Sequence, residues 1–336
     1  MKILVLQLKR IGDLILTSPV LHALRENFPQ AELALVSDAA ARTLAETIPA
    51  DRHWSVQRGA VAQGLLGLGP NAWIGRELIG YRADYCLDFT GTDRSALLAR
   101  LSLSRRRVTY ARFRKKFLRP WLYTDFVESS VRDRHTVDHH TALLRPLGVE
   151  VENVPLDLQV AEPTAIRMRT LLADQGVRQP FALIHAGTAR IEKYWEPDRW
   201  ARIAELLSAT HGLTPVLSGS QDPAEQAHLA AIKAASRVDL VDISGRTDLP
   251  ELAAVIQQAK IFCGVDTAAM HLADAMRTPT VALFGPTNPF HWRPRHTHHV
   301  VIRSRTTEPF QPGQKGGPMS EIGLDAVAAA VASLLR

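Results

Sequence analysis

Short apolar runs of strand length alternate with stretches of helical period along this 336-residue chain, in two successive series. The first run, residues 2–7, leads into Ile11-Gly12-Asp13 and then into apolar residues that fall near one helical face. Strand, glycine turn and helix form a βα unit. Repetition of that unit predicts a parallel sheet covered by helices, and thus an α/β protein.

The predicted elements continue this alternation through both halves of the chain. In the first half we expect strands at 33–37, 85–89 and 107–111, helices at 95–103 and 136–147, and at 58–80 a loop with one short helix. The second half repeats the pattern more clearly, with strands at 181–185, 215–217, 240–243, 261–265 and 280–284 and helices at 197–210, 224–235, 249–258 and 268–276. This series predicts a second doubly wound sheet.

The domain boundary is expected between the two series. Residues 148–163 carry turn and charge signals of a connector, so we place one domain at 1–155 and the other at 164–318. A long polar connection rich in proline and glycine is predicted at 287–318. The remaining segment, 319–336, is predicted to hold a final helix.

Composition and charge narrow the class of protein. Hydrophobic residues make up 46% and charged residues 22% of the chain, which excludes disordered and fibrous classes. The net charge of +6 suggests an anionic partner and leaves nucleotide, nucleic acid and anionic membrane open. The apolar run 3–6 is soon interrupted by charged residues, so neither a signal peptide nor a membrane span is expected.

The cysteines and the missing motifs limit the chemistry further. Cys86 and Cys263 lie inside strand-like runs, without metal-ligand spacing and too few for a disulfide framework, which fits a reducing cytoplasm. Neither G-x-G-x-x-G nor G-x-x-x-x-G-K-[ST] occurs, and H-E-x-x-H is absent despite 13 histidines. We therefore expect no protein-ligated metal, and we expect the chemistry in the βα loops.

The segment 263–272 is the strongest candidate for a ligand site. A strand there ends in Asp266 and Thr267, which are capping residue types, and the small residue Ala268 lets a ligand approach the start of the next helix. The free N–H groups and positive dipole end of a helix suit a diphosphate. The alternative is an ordinary N-cap with His271 as a core histidine.

Two further loops follow strands of the second half. Residues 185–195 contain Gly187, Thr188, Arg190 and Lys193, which suit a phosphate loop whose cations neutralise a leaving group. The alternative is a solvated basic loop beside packed tryptophans. The loop at 218–225 is interpreted equally well as a nucleotide contact or as a capped turn.

Asp13 follows the first strand, at the edge of the sheet where ligands of open α/β folds bind. A carboxylate facing that edge could take a proton from an acceptor hydroxyl. The alternative is a charge favoured by the dipole of the first helical turn.

A basic run from Arg105 to Arg119 is interleaved with aromatic residues and includes Arg112, Arg114 and Lys116. It could hold an anionic acceptor, anionic lipid headgroups or RNA, although no recognised nucleic-acid module surrounds it. A solvated surface remains the plain alternative.

Several of these segments together resemble glycosyltransferase family 9. The resemblance rests on segments in the family's order from residue 2 to about residue 295: 11–14 with 17–19, 86–89 with Arg94-Ser95, the Lys193 loop, 264–267 with His271, and 283–287. The family contains the ADP-heptose:lipopolysaccharide heptosyltransferases. Ala268 stands where relatives often carry glycine.

The resemblance implies a GT-B fold of two facing Rossmann-like domains with a central cleft, and a C-terminal helix at 319–336 that packs on the N-terminal domain. It implies that Asp13 is the general base and that Lys193 stabilises the leaving diphosphate. The donor site would comprise Thr188, Lys193, Asp266, Thr267, Ala268 and His271. No metal would be obligatory, with Mg²⁺ as an optional stimulant.

The function implied is an inverting transfer of heptose from ADP-L-glycero-β-D-manno-heptose to a lipopolysaccharide inner core or related surface glycan. Arg112, Arg114 and Lys116 are our candidate contacts to the anionic glycolipid acceptor or to the membrane face, by hypothesis rather than by motif. The protein would then be cytoplasmic, at the cytoplasmic face of the inner membrane, without a nucleic-acid partner. The alternatives are another nucleotide-sugar or acceptor on the same fold, and a non-catalytic protein that binds anions or nucleic acid.

Overall fold

A computed structural model describes residues 1–57, 72–116, 118–177, 179–305 and 308–336. The chain divides into two compact units, Met1–Asp157 and Leu158–Arg336, at a point inside the expected connector. Each unit is built around a parallel sheet with its own apolar core.

The first unit follows the βα alternation that the apolar runs predict. Its strands are β1 (Lys2–Gln7), β2 (Glu32–Asp38), β3 (Arg52–Val56), β4 (Tyr85–Asp88), β5 (Arg106–Tyr110) and β6 (Asp125–Val127). Its helices are α1 (Ile11–Ile15), α2 (Ser18–Asn27), α3 (Arg42–Ala45), α4 (Ala72–Tyr81), α5 (Asp93–Leu101), α6 (Arg119–Leu122) and α7 (Thr136–Thr141), and 3-10 turns cover Ala39–Ala41, Ala111–Phe113 and Ala142–Leu147.

The described strands of this unit form a sheet in the order β3-β2-β1-β4-β5-β6, with every pair parallel. In β1, Ile3, Leu4, Val5 and Leu6 are fully buried, as expected for a central strand covered on both faces. The short helix expected within 58–80 is α4, while residues 58–71 lie outside the described residues.

The second unit repeats the arrangement with six described strands. These are β7 (Phe181–His185), β8 (Thr214–Leu217), β9 (Val241–Asp242), β10 (Ile261–Val265), β11 (Thr280–Phe284) and β12 (His299–Arg303). The helices are α8 (Glu162–Asp174), α9 (Pro197–His211), α10 (Pro223–Ala235), α11 (Leu249–Gln258), α12 (Ala268–Ala275), α13 (Pro289–Trp292) and α14 (Leu324–Leu334), and 3-10 turns cover Ile191–Lys193 and Met319–Glu321. The sheet order is β12-β11-β10-β7-β8-β9, again parallel.

The C-terminal helix contributes to the core of the second unit. Its buried side chains, Val327, Ala330 and Val331, belong to that core. Trp195 Nε1 donates to the carbonyl oxygen of Ile322, at 3.0 Å, just before the helix. Apolar burial and this bond therefore hold the segment within the second unit.

Two further observations bear on the sequence predictions. Both cysteines are buried and unpaired, and burial raises the pKa of the Cys263 thiol to about 12. Across the described ranges, no helix has the length and apolar character that a bilayer crossing requires.

Candidate active site

The two sheets share one strand order, and that order fixes where ligands bind. In each sheet the chain reverses direction of winding between two central strands, β1 and β4 in the first and β7 and β10 in the second. The carboxyl ends of strands at such a switch point leave a crevice between the two loops that follow. Each unit therefore has one position where loop side chains converge.

At the first switch point, a pocket of about 530 Å³ lies at the carboxyl edge of the sheet. The segment after β1 contributes Lys9, Arg10 and Asp13, and the segment after β4 contributes Thr90 and Thr92. The remaining lining residues are Leu8, Asp38, Val56 and Arg94. Three cations and two carboxylates thus surround this pocket.

Asp13 lies in the first turn of α1, and its side chain is 19% exposed. Its Oδ1 is 3.9 Å from Lys9 Nζ, which makes a loose ion pair. Burial lowers the pKa of Lys9 below its ordinary value, the charge of Asp13 opposes that shift, and the charge of Arg112 adds to it. The Asp13 carboxylate is therefore partly accessible and has a cation beside it.

A buried hydrogen-bond network holds the turn that carries Asp13. Thr17 Oγ1 donates to the Asp13 carbonyl oxygen at 2.7 Å, and Gln7 Nε2 donates to Thr17 Oγ1 at 2.8 Å. His140 Nδ1 lies 3.0 Å from Thr17 Oγ1 and 3.1 Å from Leu16 O; since that carbonyl can only accept, Nδ1 carries the proton. Burial lowers the pKa of His140 to about 3, so its ring is neutral.

At the second switch point, a buried ion pair joins the two loops. Lys193 Nζ is 2.6 Å from Asp266 Oδ2 and 2.9 Å from the Asp266 carbonyl oxygen. Lys193 follows β7 and Asp266 follows β10, and only 8% and 7% of the two residues is exposed. The pair fixes an ammonium group beside the start of α12.

Two buried polar atoms next to this pair have no hydrogen-bond partner among the described residues. They are Thr267 Oγ1 and His271 Nδ1. Thr267 is the N-cap of α12, but its side chain accepts no bond from the helix, so the ordinary N-cap considered in the sequence analysis is not formed. Burial lowers the pKa of His271 to about 4, against the charge of Asp266. Since buried polar atoms are normally bonded, these two are suited to a ligand.

The loop after β7 is shaped by a buried glutamate. Gly187 leaves no room for a side chain, because a Cβ would lie 2.0 Å from Glu225 Oε1. Glu225 accepts hydrogen bonds from the backbone N–H of Ser220, at 3.0 Å, and from its hydroxyl. Thr188 Oγ1 accepts from the Arg190 N–H at 3.4 Å, within the same loop.

The loop at 218–225 is a capped turn in the structure. Asp222 Oδ1 accepts from the N–H groups of Ala224 and Glu225 at the start of α10. This observation supports the capped-turn interpretation. Glu225 also packs the turn against the loop at 185–195, because it lies against both Gly219 and Gly187.

Each basic residue predicted as an acceptor contact lies over an aromatic ring. Arg112 lies 4.7 Å from the Phe113 ring centre, Lys116 5.2 Å from the same ring, and Arg114 5.2 Å from that of Phe126. None of the three lines the pocket of Asp13, although Arg112 is near enough to influence the pKa of Lys9. The structure therefore does not bring Arg114 and Lys116 together with Asp13 in one pocket.

Three cations that line the Asp13 pocket were not predicted as site residues from the sequence. Lys9 and Arg10 belong to the charged residues that interrupt the first apolar run, and Arg94 entered only through the family resemblance. Their position in the segments that follow the first and fourth strands is the signal that could have identified them, because those two strands flank the switch point.

Two Rossmann-like units, each with charged side chains at its switch point, define the chain as an α/β protein of the GT-B class with one candidate site per unit. Within the part of the chain that the structure describes, no group of three or more His, Cys, Asp or Glu side chains is placed to hold a metal ion.

Residues 72–318 match the model of glycosyltransferase family 9 (heptosyltransferase), and the chain belongs to this family. It is 26% identical over 296 residues to lipopolysaccharide heptosyltransferase 3 of Escherichia coli K12, a match that covers 84% of this chain and 82% of that protein. The protein is therefore a glycosyltransferase of the heptosyltransferase family.

Solved structures share the fold over its whole length. A family 9 glycosyltransferase from Veillonella parvula superposes with a TM-score of 0.85 at 23% identity, covering 99% of this chain and 97% of that one. The ADP-heptose lipopolysaccharide heptosyltransferase II of E. coli gives a TM-score of 0.79 at 23% identity, covering 100% and 98%.

Proposed function

We propose that this protein transfers heptose from ADP-L-glycero-β-D-manno-heptose to the inner core of a lipopolysaccharide or a related surface glycan, with inversion at the anomeric carbon. The observation that carries the proposal is the division of charged groups between the two switch points. Carboxylates and cations line the pocket at the first switch point, and an ammonium group lies beside a helix start at the second. We take the sugar and the acceptor class from the names of two similar proteins, a lipopolysaccharide heptosyltransferase and an ADP-heptose lipopolysaccharide heptosyltransferase.

The donor half of the reaction belongs to the second unit in this proposal. The diphosphate binds at the start of α12, where backbone N–H groups of Ala268 and its neighbours are unpaired within the helix. Lys193 supplies the positive charge, and Asp266 keeps its ammonium group in place. Thr188, Thr267 and His271 offer polar atoms to the rest of the donor.

The acceptor half belongs to the first unit. Asp13 removes the proton from an acceptor hydroxyl, and the cations around its pocket hold the anionic groups of the acceptor core. Arg112, whose charge acts on Lys9 of this pocket, adds to the same positive field, and Arg114 and Lys116 remain candidate contacts to the acceptor.

In the chemical step, the acceptor oxygen forms a bond to the anomeric carbon while the bond from that carbon to the ADP oxygen breaks. The proton goes to the Asp13 carboxylate, and the electron pair of the broken bond goes to the β-phosphate. Lys193 and the N–H groups of α12 stabilise that growing charge more in the transition state than in the ground state. Attack from the face opposite ADP inverts the anomeric centre, and no step requires a metal ion.

The acceptor fixes the proposed location. A lipopolysaccharide core is assembled on a membrane-anchored lipid, so we place the protein in the cytoplasm at the cytoplasmic face of the inner membrane.

The donor class is tested by calorimetric titration with ADP, UDP, GDP and CDP. We expect selective ADP binding in the wild-type protein and in Asp13→Ala, and loss of binding in Asp266→Ala. Thermal melts of each variant distinguish loss of the site from loss of the fold. Selective binding of another nucleotide would keep the transferase and exclude ADP-heptose, whereas binding of none of the four would favour a non-catalytic protein.

A further inference from the structure

A corner of the first unit presents apolar side chains to solvent. Trp121 is 80% exposed, the highest value for a large apolar residue in the described ranges, and Leu118 is 52% exposed. Leu118 has a φ of +64°, a left-handed conformation that costs a leucine roughly 1 kcal/mol or more. We call Leu118 and Trp121, with the preceding cations Arg114, Lys115 and Lys116, the tryptophan corner.

The cations of the corner are available to an anionic partner. Arg114, Lys115 and Lys116 are exposed, and among the described residues none of them forms an ion pair. Arg114 and Lys116 lie over the aromatic rings of Phe126 and Phe113. The ring contacts hold these side chains near the surface while their charge remains unneutralised.

A buried arginine fixes the corner to the wall of the Asp13 pocket. Arg119 is 1% exposed, and it donates to the carbonyl oxygens of Thr92, at 2.9 Å, and Gly91, at 3.3 Å. It also pairs with Asp93 at 2.6 Å. Since Thr92 lines the pocket, Arg119 connects the start of α6 to the pocket wall. The corner is therefore joined directly to a segment that forms part of the Asp13 pocket.

We propose that the tryptophan corner docks the protein on an anionic bilayer, with Trp121 and Leu118 at headgroup depth and the three cations over anionic lipids. Tryptophan is favoured at membrane interfaces, and each nearby lysine or arginine adds attraction to an anionic surface. A nucleic acid would use the ring and the cations but gain nothing from an exposed leucine, so the pair of apolar side chains favours lipid. The link to catalysis rests on the proposed function, because docking presents a lipid-anchored acceptor to the pocket.

The docking is tested on the full-length protein without donor or acceptor, by sedimentation with phosphatidylcholine vesicles that contain or lack phosphatidylglycerol. We expect binding to the anionic vesicles, weakened roughly tenfold in Trp121→Ser and about fivefold in Lys115→Gln. Ile166→Ser removes another exposed apolar side chain, 50% exposed, from α8 and should leave binding unchanged. Equal binding by wild type and Trp121→Ser would overturn the proposal.

A second measurement locates the tryptophan directly. Vesicles with brominated lipid should quench the fluorescence of the wild-type protein. Trp121→Phe keeps an aromatic anchor, so it should still sediment with the vesicles but lose most of the quenching. Quenching that persists in Trp121→Phe would place another tryptophan at the bilayer and contradict the assignment. Self-association that Trp121→Ser abolishes, without vesicle binding by the wild type, would assign the corner to a second copy instead.

Activity measured on a membrane-embedded and on a water-soluble acceptor distinguishes a failure of membrane docking from a failure of the proposed function. On an acceptor embedded in vesicles, Trp121→Ser should lower activity about as much as it lowers binding, while on a deacylated, water-soluble acceptor it should match the wild type. If the wild type is inactive on both acceptors but still binds vesicles through Trp121, the proposed function fails and the docking surface stands.

Discussion

At the scale of single residues, the side chains assigned to proton transfer and to charge stabilisation have different surroundings. Asp13 is partly exposed at the mouth of a pocket, 3.9 Å from one lysine. Lys193 and Asp266 are almost fully buried and 2.6 Å apart. The Asp13 carboxylate is therefore open to a bound molecule, whereas the ion pair holds the Lys193 ammonium group in one position.

Replacing Asp13 by asparagine tests its role as base. The amide keeps the shape but cannot take a proton, so turnover should fall roughly a hundredfold to ten-thousandfold, while ADP affinity measured by calorimetry stays unchanged. Asp38→Asn is the matched control, since Asp38 lines the same pocket and asparagine can replace it as acceptor for the Ala40 N–H. Full turnover by Asp13→Asn would remove the base from the mechanism.

The buried pair predicts a large stability change when one partner is removed. Lys193→Met leaves the Asp266 carboxylate buried without its counter-charge, which should cost about 3 kcal/mol of unfolding free energy, measured with urea. Lys193→Met combined with Asp266→Asn removes both charges and should recover part of that loss. Equal stability of the single variant and the wild type would mean that the pair is solvated in solution.

His271 predicts a pH dependence of stability. Its pKa is about 4 in the folded chain against 6.5 for an ordinary histidine, because burial disfavours the charged ring. Between these values the unfolded chain binds more protons, so this contribution to stability is complete above pH 6.5 and is lost as the pH falls toward 4. In His271→Gln the slope of unfolding free energy against pH in this window should fall by up to about 1.4 kcal/mol per pH unit. An unchanged slope would show that His271 titrates normally.

At the scale of elements, the contact between Gly187 and Glu225 sets the path of the loop after β7. Glu225 is 4% exposed and bonded to Ser220, so it has little freedom to move aside for a Cβ. Gly187→Ala should therefore shift the loop, at a cost of about 1 to 3 kcal/mol, and weaken ADP binding. Gly323→Ala is the control, because a Cβ there meets nothing within 4 Å. ADP affinity equal to wild type in Gly187→Ala would separate this loop from the donor site.

The central elements could be predicted from sequence, and the sheet edges largely could not. Strands such as β1 and β10 are continuous apolar runs, because helices cover both of their faces. β3, β6 and β12 were missed, and each is a strand at the edge of its sheet whose residues are mostly half-buried rather than a continuous buried run. These edge strands form because a neighbouring strand offers hydrogen-bond partners, which the local sequence does not show. The 287–318 segment, expected to be a connection, accordingly contains α13 and β12.

One helix was missed for a different reason. Pro163 was interpreted as part of the connector, whereas it occupies the first turn of α8, where a proline needs no hydrogen-bond donor. The final helix was predicted at its place in the chain. Its one-sided apolar pattern shows that one face is buried, but the pattern does not show which core that face joins.

The candidate site was partly predictable. Asp266, His271 and Lys193 stood out because they follow strands that the apolar pattern located, and the structure brings them to one switch point. The sequence could not show that Lys193 bonds Asp266, because 73 residues separate the two and only the sheet order brings them together.

At the scale of the whole molecule, the same strand order occurs twice with different chemistry at each switch point. The first pocket has an acid among cations, and the second site has a buried ion pair at a helix start. A transferase needs one site for each substrate, and in this proposal both units take part in every turnover.

A transfer assay is the decisive test of the proposed function. The protein is incubated with ADP-L-glycero-β-D-manno-heptose and a heptose-deficient lipopolysaccharide core, and the acceptor is analysed by mass spectrometry. We expect the wild-type protein to add heptose to the acceptor and to release ADP, and we expect no transfer by Asp13→Asn or Lys193→Met. No transfer from the ADP-sugar, together with transfer from a UDP- or GDP-sugar by the same protein, would contradict the proposed function.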